Sequence, residues 1–418
     1  MVPDRNFLMI FEGARKAARA LALIPEQRRD DILRRVADAA IAAQQRILDA
    51  NKYDLDQMAL DNPLRDRLAL SPERLAAIAD DIRHVAQLHS PVGDVLREWT
   101  QPNGLRFRKV AVPFGVVGVI YEARPNVTFD VFSLCFKTAN ACVLKGGADA
   151  AMSNHRIVSV IRKVLEQEGI DPNVISLTPA THQSSDEMLH ATGLIDVIIP
   201  RGSRRLIDYV RRNAQVPIIE TGAGICHAYF HSSADTAKGA AIINNAKTRR
   251  VSVCNALDCL LIDRSRIADL PAAVAPLAAK DVVIYADDEA FNALSGQYPL
   301  LEHAQPETWD TEWMDYKMAV HVVAELDEAL AHIAAHGSGH SECIIADDEE
   351  ACNRFTDEVD AACVYTNAPT SWTDGAQFGF GAEIGISTQK LHARGPMALE
   401  EICTYKWLIE GDGQVRPK

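Results

Sequence analysis

The spacing of apolar residues predicts a helical amino-terminal region. Apolar side chains recur every three to four positions in residues 14–23 and again in residues 26–60, which is the spacing of one buried helix face. Ser71, Pro72 and Glu73 supply a capping side chain, a proline at the first helical position and an early acid. A further helix is therefore expected to begin there and to end near residue 90.

From residue 114 the pattern changes to short apolar runs that alternate with amphipathic stretches. This alternation predicts parallel sheets covered by helices on both faces, with ligands bound at the carboxyl ends of the strands. The first series predicts strands at 115–121, 141–144, 174–177, 195–199 and 216–219, separated by helices at 129–139, 152–168, 184–191 and 204–212. The second series predicts strands near 228–230, 257–262, 282–285, 318–323, 343–346 and 364–366, with helices at 236–245, 329–336 and 349–359.

Two further segments, outside these two series of strands and helices, have the pattern of extended chain. Residues 98–113 carry Pro102, Asn103 and Gly104 between alternating positions, which is typical of a β-hairpin. A second extended piece spans residues 405–409. An isolated two-stranded hairpin is marginally stable in water, so we expect these segments to meet each other or a second subunit.

Together the patterns predict an α/β protein with two Rossmann-like, three-layer α/β/α domains and a small β flap. The predicted first domain comprises residues 1–97 and 114–227, with its junction to the second near 221–227. The predicted second domain comprises residues 228–382, and residues 383–399 form a returning segment near the active site. The predicted flap comprises residues 98–113 and 400–418, and we expect it to mediate oligomerisation.

Charge and cysteine content narrow the function classes. The chain of 418 residues has 43 Lys and Arg against 57 Asp and Glu, a net charge of −14, so general nucleic-acid binding is not expected. The longest apolar runs fall short of the ~18–20 residues that a membrane-spanning helix needs, and the first residues do not resemble a signal peptide. Nine cysteines without a CxxC pair predict free thiols in a reducing cytoplasm.

Two predicted strands of the first series end in basic, glycine-containing sequences. Lys145 is followed by Gly146 and Gly147, and Arg201 is followed by Gly202 and Ser203. Glycine lets the backbone approach a ligand, and a helix that begins at Ser203 would offer N–H groups to a phosphate. Although the chain has no GxGxxG motif after its first strand, these two strand ends favour a nucleotide site over solvated turns.

Three histidines at four-residue intervals suggest a metal site at first sight. His332, His336 and His340 stand in the sequence HIAAHGSGH. The intervening Gly337-Ser338-Gly339 breaks the helix, so His340 does not keep the helical register. We predict no metal here, and a loop that lines a substrate pocket instead.

One cysteine has the surroundings of a nucleophile. Cys254 follows Lys247, Arg249 and Arg250, and nearby cations lower a thiol pKa and raise the thiolate fraction. Cys259, within a predicted strand, looks like a core residue by comparison.

Four stretches carry a resemblance to a known family. They are residues 115–128 (GVVGVIYEARPNVT), 247–257 (KTRRVSVCNAL), 336–342 (HGSGHSE) and 384–395 (IGISTQKLHARG). In these stretches, and over essentially its whole length, the chain resembles the γ-glutamyl phosphate reductases, also called glutamate-5-semialdehyde dehydrogenases, within the aldehyde dehydrogenase superfamily. The resemblance implies an aldehyde dehydrogenase-like fold. Val251 departs from the family, which usually has proline at this position, and Tyr316 and Lys317 stand where apolar residues are expected.

The resemblance implies NADPH-dependent reduction of L-glutamyl 5-phosphate to L-glutamate 5-semialdehyde, the second step of proline biosynthesis from glutamate. It implies that Cys254 is the nucleophile and Asn126 the oxyanion-hole asparagine. Cofactor contacts are expected from Lys145, Gly146, Gly147, Gly202, Ser203, Thr221, Gly222 and Glu312. Substrate contacts are expected from Arg124, Arg250, Asn255, His340 and Arg394.

The resemblance further implies a cytoplasmic homo-oligomer, with glutamate 5-kinase as a possible partner because that kinase makes the labile substrate. Two alternatives remain open. One is a different superfamily enzyme, either an acyl-CoA reductase or an aldehyde oxidiser, and the other is a non-catalytic nucleotide-binding scaffold. Glu220 falls where hydrolytic members keep a water-activating base, which a reductase does not need.

Overall fold

The computed structural model describes residues 4–60, 62 and 65–416, and its elements follow the predicted periodicities. The helices are α1 (Arg5–Leu21), α2 (Glu26–Ala42), α3 (Gln44–Asp56), α4 (Arg65–Leu68), α5 (Pro72–Val85), α6 (Asn126–Lys137), α7 (Ala151–Gln167), α8 (His182–Leu189), α9 (Arg204–Asn213), α10 (Thr236–Thr248), α11 (Leu270–Val274), α12 (Asp288–Leu294), α13 (Leu326–His336) and α14 (Glu349–Glu358).

The strands are β1 (Val95–Thr100), β2 (Arg106–Pro113), β3 (Val116–Tyr121), β4 (Ala141–Lys145), β5 (Ile175–Leu177), β6 (Val197–Arg201), β7 (Cys226–Phe230), β8 (Leu257–Asp263), β9 (Val283–Ala286), β10 (Leu301–His303), β11 (Lys317–Val323), β12 (Ser341–Ile345), β13 (Cys363–Thr366), β14 (Gly385–Ser387), β15 (Gly395–Met397) and β16 (Cys403–Glu410). β14 pairs with β15 in a small sheet of its own.

The chain divides into two compact units. The first comprises Met1–Thr221, Gly379–Gly385 and Met397–Lys418, and it contains a four-stranded parallel sheet in the order β5-β4-β3-β6. Because β4 and β6 both flank β3 in parallel, Lys145 and Arg201 stand at the same edge of this sheet. Amino-terminal helices cover it, with Phe7 and Phe11 of α1 in the apolar core.

The second unit comprises Gly222–Phe378 and Ile386–Pro396. Its seven parallel strands run in the order β10-β9-β11-β8-β7-β12-β13, and the central strands β7, β8 and β12 are completely buried. Strands buried on both faces are what helices on both sides of a parallel sheet produce. The predicted α/β fold class is confirmed in both units.

A three-stranded antiparallel sheet forms the flap, in the order β1-β2-β16. The predicted hairpin and the carboxyl-terminal strand therefore meet each other within the first unit, where β16 pairs with β2 along its whole length. Gly104 turns the chain between β1 and β2 with φ at +88°.

Two predicted elements differ from the structure. The strand predicted at residues 216–219 forms only a single bridge, between Ile198 and Ile218, because Pro217 has no N–H to donate to a ladder. The helix predicted over residues 26–60 is interrupted at Ala43, where φ of −94° and ψ of 4° end α2. The observed units also group Gly379–Gly385 with the first unit, whereas these residues were predicted to lie in the second domain and the returning segment.

Candidate active site

Cys254 lies in the turn that connects α10 to β8, at the carboxyl end of a helix and the start of a central strand. It is partly exposed, while the other eight cysteines are buried. A nucleophile has to reach both its substrate and a proton acceptor, and among the nine thiols this position meets the first requirement best.

His340 lies directly beside the thiol and is the candidate proton acceptor. The Nε2 atom of His340 lies 3.2 Å from Sγ of Cys254. Burial lowers the pKa of His340 to about 4, so the imidazole is neutral near pH 7. A neutral imidazole at this distance can accept the thiol proton and leave the thiolate that nucleophilic attack needs.

Hydroxyl groups on the opposite side of the ring hold His340 in this orientation. Nδ1 of His340 lies 2.8 Å from the Oγ of Ser341, which in turn lies 2.7 Å from the Oγ1 of Thr373. Tyr365 extends the chain, with its OH 2.7 Å from the same Thr373 oxygen. When Nδ1–H donates to Ser341, the lone pair of Nε2 faces Cys254.

Gly224 packs against the backbone of the nucleophile so closely that no side chain fits. A Cβ at this position would lie 1.7 Å from the carbonyl oxygen of Cys254. The Gly224 N–H donates to Oε1 of Glu312 at 3.0 Å, and the Cys226 thiol donates to the Cys254 carbonyl oxygen at 3.2 Å. Glu312, predicted to bind the cofactor, thus also fixes the loop beneath Cys254.

The predicted substrate residues of the second unit fall into two groups. His340 and Asn255 adjoin Cys254; the buried Asn255 Nδ2 donates to the Thr373 carbonyl at 2.8 Å. Arg250 is exposed, and Arg394 donates from Nη2 to Asp360 at 2.8 Å. The structure therefore brings His340 and Asn255 to Cys254, whereas Arg394 is held by an ion pair.

Of the cations expected to activate Cys254, Lys247 is paired with a carboxylate. The Lys247 side chain is buried, with Nζ 3.6 Å from Oδ1 of Asp258. Burial lowers the pKa of Lys247, partly offset by Asp258, and Arg249 and Arg250 are exposed. The contact observed at the thiol is thus the neutral His340, which the sequence did not suggest as its neighbour.

In the first unit, the end of β4 borders a cavity of about 950 Å³. Gly146 and Gly147 line it together with α7, and a Cβ on Gly146 would lie 2.2 Å from Nδ2 of Asn154. Desolvation lowers the pKa of Lys145, against the opposing charges of Glu122 and Asp149. His155, Arg162 and Lys163 also line this cavity, which has the size and the basic groups to hold the adenosine half of a dinucleotide.

The start of α9 is built differently from the sequence expectation. Ser203 caps the helix and its N–H donates to Oε2 of Glu122 at 2.7 Å, while its Oγ donates to Oε1 at 3.1 Å. A Cβ on Gly202 would lie 2.5 Å from the same carboxylate. Of the N–H groups predicted to meet a phosphate at this helix start, that of Ser203 is thus engaged by Glu122.

Three residues around the boundary of the units have separate roles. Thr221 donates from Oγ1 to the Pro200 carbonyl at 2.7 Å, and a Cβ on Gly222 would lie 2.5 Å from Oγ1 of Thr388.

Glu220 is buried and accepts hydrogen bonds from Nε of Arg211 at 2.8 and 2.9 Å. A carboxylate held in this way is a poor water-activating base.

Asn126 begins α6 in the first unit, directly after Arg124 and Pro125. Its Nδ2 donates to Oδ2 of Asp130, one helical turn later, at 2.9 Å. Desolvation raises the pKa of Asp130 to about 7, against the lowering effect of Arg201. Arg124 is half-buried at the entrance of this helix.

Sequence reasoning placed His340 in a substrate loop and missed its contact with the nucleophile. It also missed Gly224, Cys226 and Asp130 as supports of the predicted site residues. The HGSGH pattern was the available signal, but sequence spacing does not reveal a partner 86 positions away.

Comparison with known proteins agrees with this arrangement of sheets. A model of the aldehyde dehydrogenase family matches residues 5–292. The chain belongs to the aldehyde dehydrogenase family. It is therefore an oxidoreductase, and the predicted aldehyde dehydrogenase-like fold is confirmed.

Its relatives place it within one branch of this family. The chain is 59% identical to the γ-glutamyl phosphate reductase of Bacteroides fragilis (strain YCH46), over 97% of this chain and 98% of that protein. It is 57% identical to that of Parabacteroides distasonis, over 98% and 100%. The crystal structure of the Thermotoga maritima γ-glutamyl phosphate reductase superposes with a TM-score of 0.94 at 38% identity, covering 98% and 99% of the two chains. The resemblance recognised in the sequence is thus confirmed.

None of the helices among the described residues is both long and apolar enough to cross a membrane.

Proposed function

We propose that this oxidoreductase reduces L-glutamyl 5-phosphate to L-glutamate 5-semialdehyde and phosphate, with NADPH as reductant and a thioester on Cys254 as intermediate. The observation that carries the proposal is the 3.2 Å approach of His340 Nε2 to the partly exposed Cys254 Sγ. The names of the relatives, at up to 59% identity over nearly the full chain, support this substrate.

The first chemical step belongs to the second unit. The neutral His340 takes the Cys254 proton, and the thiolate attacks the acyl carbon of the substrate. The bond from this carbon to the phosphate oxygen breaks, and inorganic phosphate leaves with the electron pair. By the resemblance, Asn126 is the side-chain donor to the tetrahedral oxygen, a contribution of roughly 3 kcal/mol for one such donor.

Reduction needs a nicotinamide cofactor, which enzymes of this family use. The cavity beside Gly146 and Gly147 fits the adenosine half of such a group, with Lys145 at the end of β4. Bound NADPH would supply a hydride to the thioester carbon. The tetrahedral species on Cys254 then collapses to the aldehyde, and the thiolate is recovered for His340 to reprotonate.

A coupled assay tests the overall reaction. Purified chain is incubated with glutamate, ATP, glutamate 5-kinase and NADPH, and the loss of reduced cofactor is followed by absorbance. We expect loss that requires every component and that disappears in Cys254→Ser. Loss at an undiminished rate in the variant, or equal use of an acyl-CoA without the kinase, would contradict the proposal.

The reverse direction separates an acyl-phosphate enzyme from an aldehyde oxidiser. The substrate is pyrroline-5-carboxylate, which is in equilibrium with the semialdehyde, and the oxidant is NADP⁺. We expect reduction of NADP⁺ to depend on added phosphate, because phosphate must attack the thioester. Oxidation that proceeds equally well without phosphate points to a hydrolytic enzyme.

A further inference from the structure

A second cluster of soft and nitrogen ligands lies in the second unit, apart from the Cys254 side chain. It consists of His227 on β7, Cys259 on β8 and His332 on α13. One ligand atom from each residue lies within 4.8 Å of the others, and Cys259 Sγ is 3.9 Å from His332 Nε2. Sequence spacing could not reveal this set of ligands. Only His332 belongs to the run of histidines, and the other two residues lie on separate strands.

The fold assembles this cluster from three elements. His227 and Cys259 are paired neighbours in the parallel ladder of β7 and β8, so their side chains emerge on the same face of the sheet. Helix α13 covers that face, where Ile333 and Ala329 pack in one apolar cluster with Cys259. His332, next to Ile333, is only half-buried and leaves the cluster open toward solvent.

The strongest sign of a missing ligand is the Nε2 atom of His227. This atom is completely buried and has no hydrogen-bond partner, which is costly for a polar group in a protein interior. On the other side of the ring, Nδ1 lies 3.1 Å from Oε2 of Glu342, and this oxygen also accepts the His227 backbone N–H at 2.8 Å. A carboxylate that orients the distal nitrogen of a histidine is the usual second shell of a metal ligand.

We propose that His227, Cys259 and His332 bind one divalent cation of the borderline-soft class represented by Zn²⁺. Two imidazole nitrogens and a thiolate form a donor set that Zn²⁺ accepts, with a water molecule from the open side as the fourth ligand. Tetrahedral bonds of about 2.0 Å to nitrogen and 2.3 Å to sulfur place ligand atoms about 3.5 Å apart. Cys259 and His332, at 3.9 Å, are already close to this separation.

Binding would exchange protons for the metal. Burial works against the charged form of His227, but the Glu342 carboxylate raises the pKa of His227 to about 10, so the imidazolium form predominates near neutral pH. Burial also raises the pKa of Cys259, whereas burial and the neighbouring His227, His321 and His336 lower that of His332 to about 2. Coordination needs the Cys259 thiolate and a neutral His227, so the metal competes with protons at these two side chains.

Titration of the full chain with Co²⁺ tests the site, because a thiolate bound to Co²⁺ gives a near-ultraviolet charge-transfer band. We expect the band to saturate at one equivalent and to be lost in Cys259→Ser. The matched control is Cys352→Ser, another buried thiol of the same unit, which should keep the band. His332→Ala, on the half-exposed helix face, should weaken Co²⁺ binding at least about tenfold even where Cys259→Ser compromises folding.

The competing thiol–imidazole pair is Cys254 with His340, and Cys254→Ser distinguishes the two. Persistence of the band in Cys254→Ser and its loss in Cys259→Ser support the proposal. Loss in Cys254→Ser with retention in Cys259→Ser, or no band in the wild-type chain at millimolar Co²⁺, overturns it. Calorimetry with Zn²⁺ supplies an independent readout, with one equivalent bound by the wild-type chain and by Cys254→Ser.

Discussion

Gly224 and Cys254 are in such close contact that a single added methyl group would collide with the backbone of the nucleophile. The Cβ of an alanine at position 224 would lie 1.7 Å from the Cys254 carbonyl oxygen. The same carbonyl oxygen accepts a hydrogen bond from the Cys226 thiol, and the Gly224 N–H donates to Glu312. The loop beneath the thiol is therefore fixed from both sides.

Gly224→Ala should therefore disable the enzyme. The backbone of residue 254 must move by about 1 Å or more to admit the methyl group, and misplacement of this size costs on the order of 100-fold in rate. The measurement is kcat in the coupled assay, beside a circular dichroism spectrum. Gly13→Ala is the control, because its added Cβ makes only ordinary contacts of 3.4 Å and longer with Asn173. Equal rates for the two variants would show that the contact is tolerated.

Alkylation by iodoacetamide should reveal the Cys254–His340 pair. Since the pKa of His340 is lowered to about 4, its neutral form persists at higher pH and reactivity should fall only as pH drops towards 4. In His340→Gln we expect Cys254 to react at least about tenfold more slowly at pH 7, because the proton acceptor is lost. His303→Gln, an exposed histidine of the same unit, serves as control.

The same experiment, read by peptide mass spectrometry, compares two thiols of one unit. Burial raises the pKa of Cys259, so it should react much more slowly than the partly exposed Cys254. Similar rates for the two thiols, or an unchanged rate in His340→Gln, would argue against the assigned nucleophile and its proton acceptor.

The oxyanion role proposed for Asn126 predicts a defect in turnover without a defect in folding. Asn126→Ala should lower kcat by about 10²- to 10³-fold, because the lost hydrogen bond forms mainly in the transition state. The thermal midpoint should change little, since the Asn126 side chain makes one local contact, to Asp130 on the same helix. Asn292→Ala, at an exposed position of α12, provides the control. A selective rise in KM would instead indicate a ground-state binding role.

Local sequence signals predicted most of the fold and one member of the candidate catalytic pair. Alternation and capping located the strands and helices, and the polar turn before β8 identified Cys254. The prediction of a strand at 216–219 was wrong because it relied on the β-branched residues of this segment. Pro217 has no N–H to donate, and only a single bridge forms. His340 was expected only as a substrate contact, because its contact with Cys254 depends on how β12 and the turn before β8 are placed in the sheet, which no short window of sequence contains.

Asp130 makes stability depend on pH. Its pKa of about 7 in the folded chain exceeds the value of about 3.9 expected when unfolded, so the folded state binds this proton more tightly. The resulting stabilisation is complete below pH 4 and is lost as pH rises through 7. Asp130→Asn should therefore raise the free energy of unfolding at pH 8 relative to pH 5, compared with wild type, by on the order of 2 kcal/mol. The partly exposed Asp130 side chain is screened by solvent, so the expected difference in free energy is smaller than the full pKa shift would give.

Urea denaturation at the two pH values measures this difference. The matched variant is Asp56→Asn, an exposed carboxylate at the end of α3 in the same unit, which should leave the pH dependence unchanged. Parallel stability–pH curves for wild type and Asp130→Asn would rule out the raised pKa.

We expect the chain to self-associate through the flap, by the face of this sheet that carries its aromatic side chains. The ring centroid of Trp99 lies 5.2 Å from that of Phe107, in a stacked pair, and 5.3 Å from that of Trp407, in an edge-on pair. Along β16, alternate side chains on this face are 43–58% exposed, namely Tyr405, Trp407 and Ile409. The opposite face carries ion pairs such as Arg106 with Glu98, so the sheet is amphipathic. An exposed aromatic patch beside an edge strand is typical of a subunit interface.

Light scattering at micromolar concentration should therefore report a homo-oligomer. Trp407→Glu, which places a charge in the centre of the aromatic face, should shift the mass toward the monomer of 45.8 kDa. Lys406→Glu changes the neighbouring exposed residue on the opposite face and should leave the assembly intact. A wild-type chain that scatters as a monomer, or dissociation by both variants alike, would contradict an interface on this face.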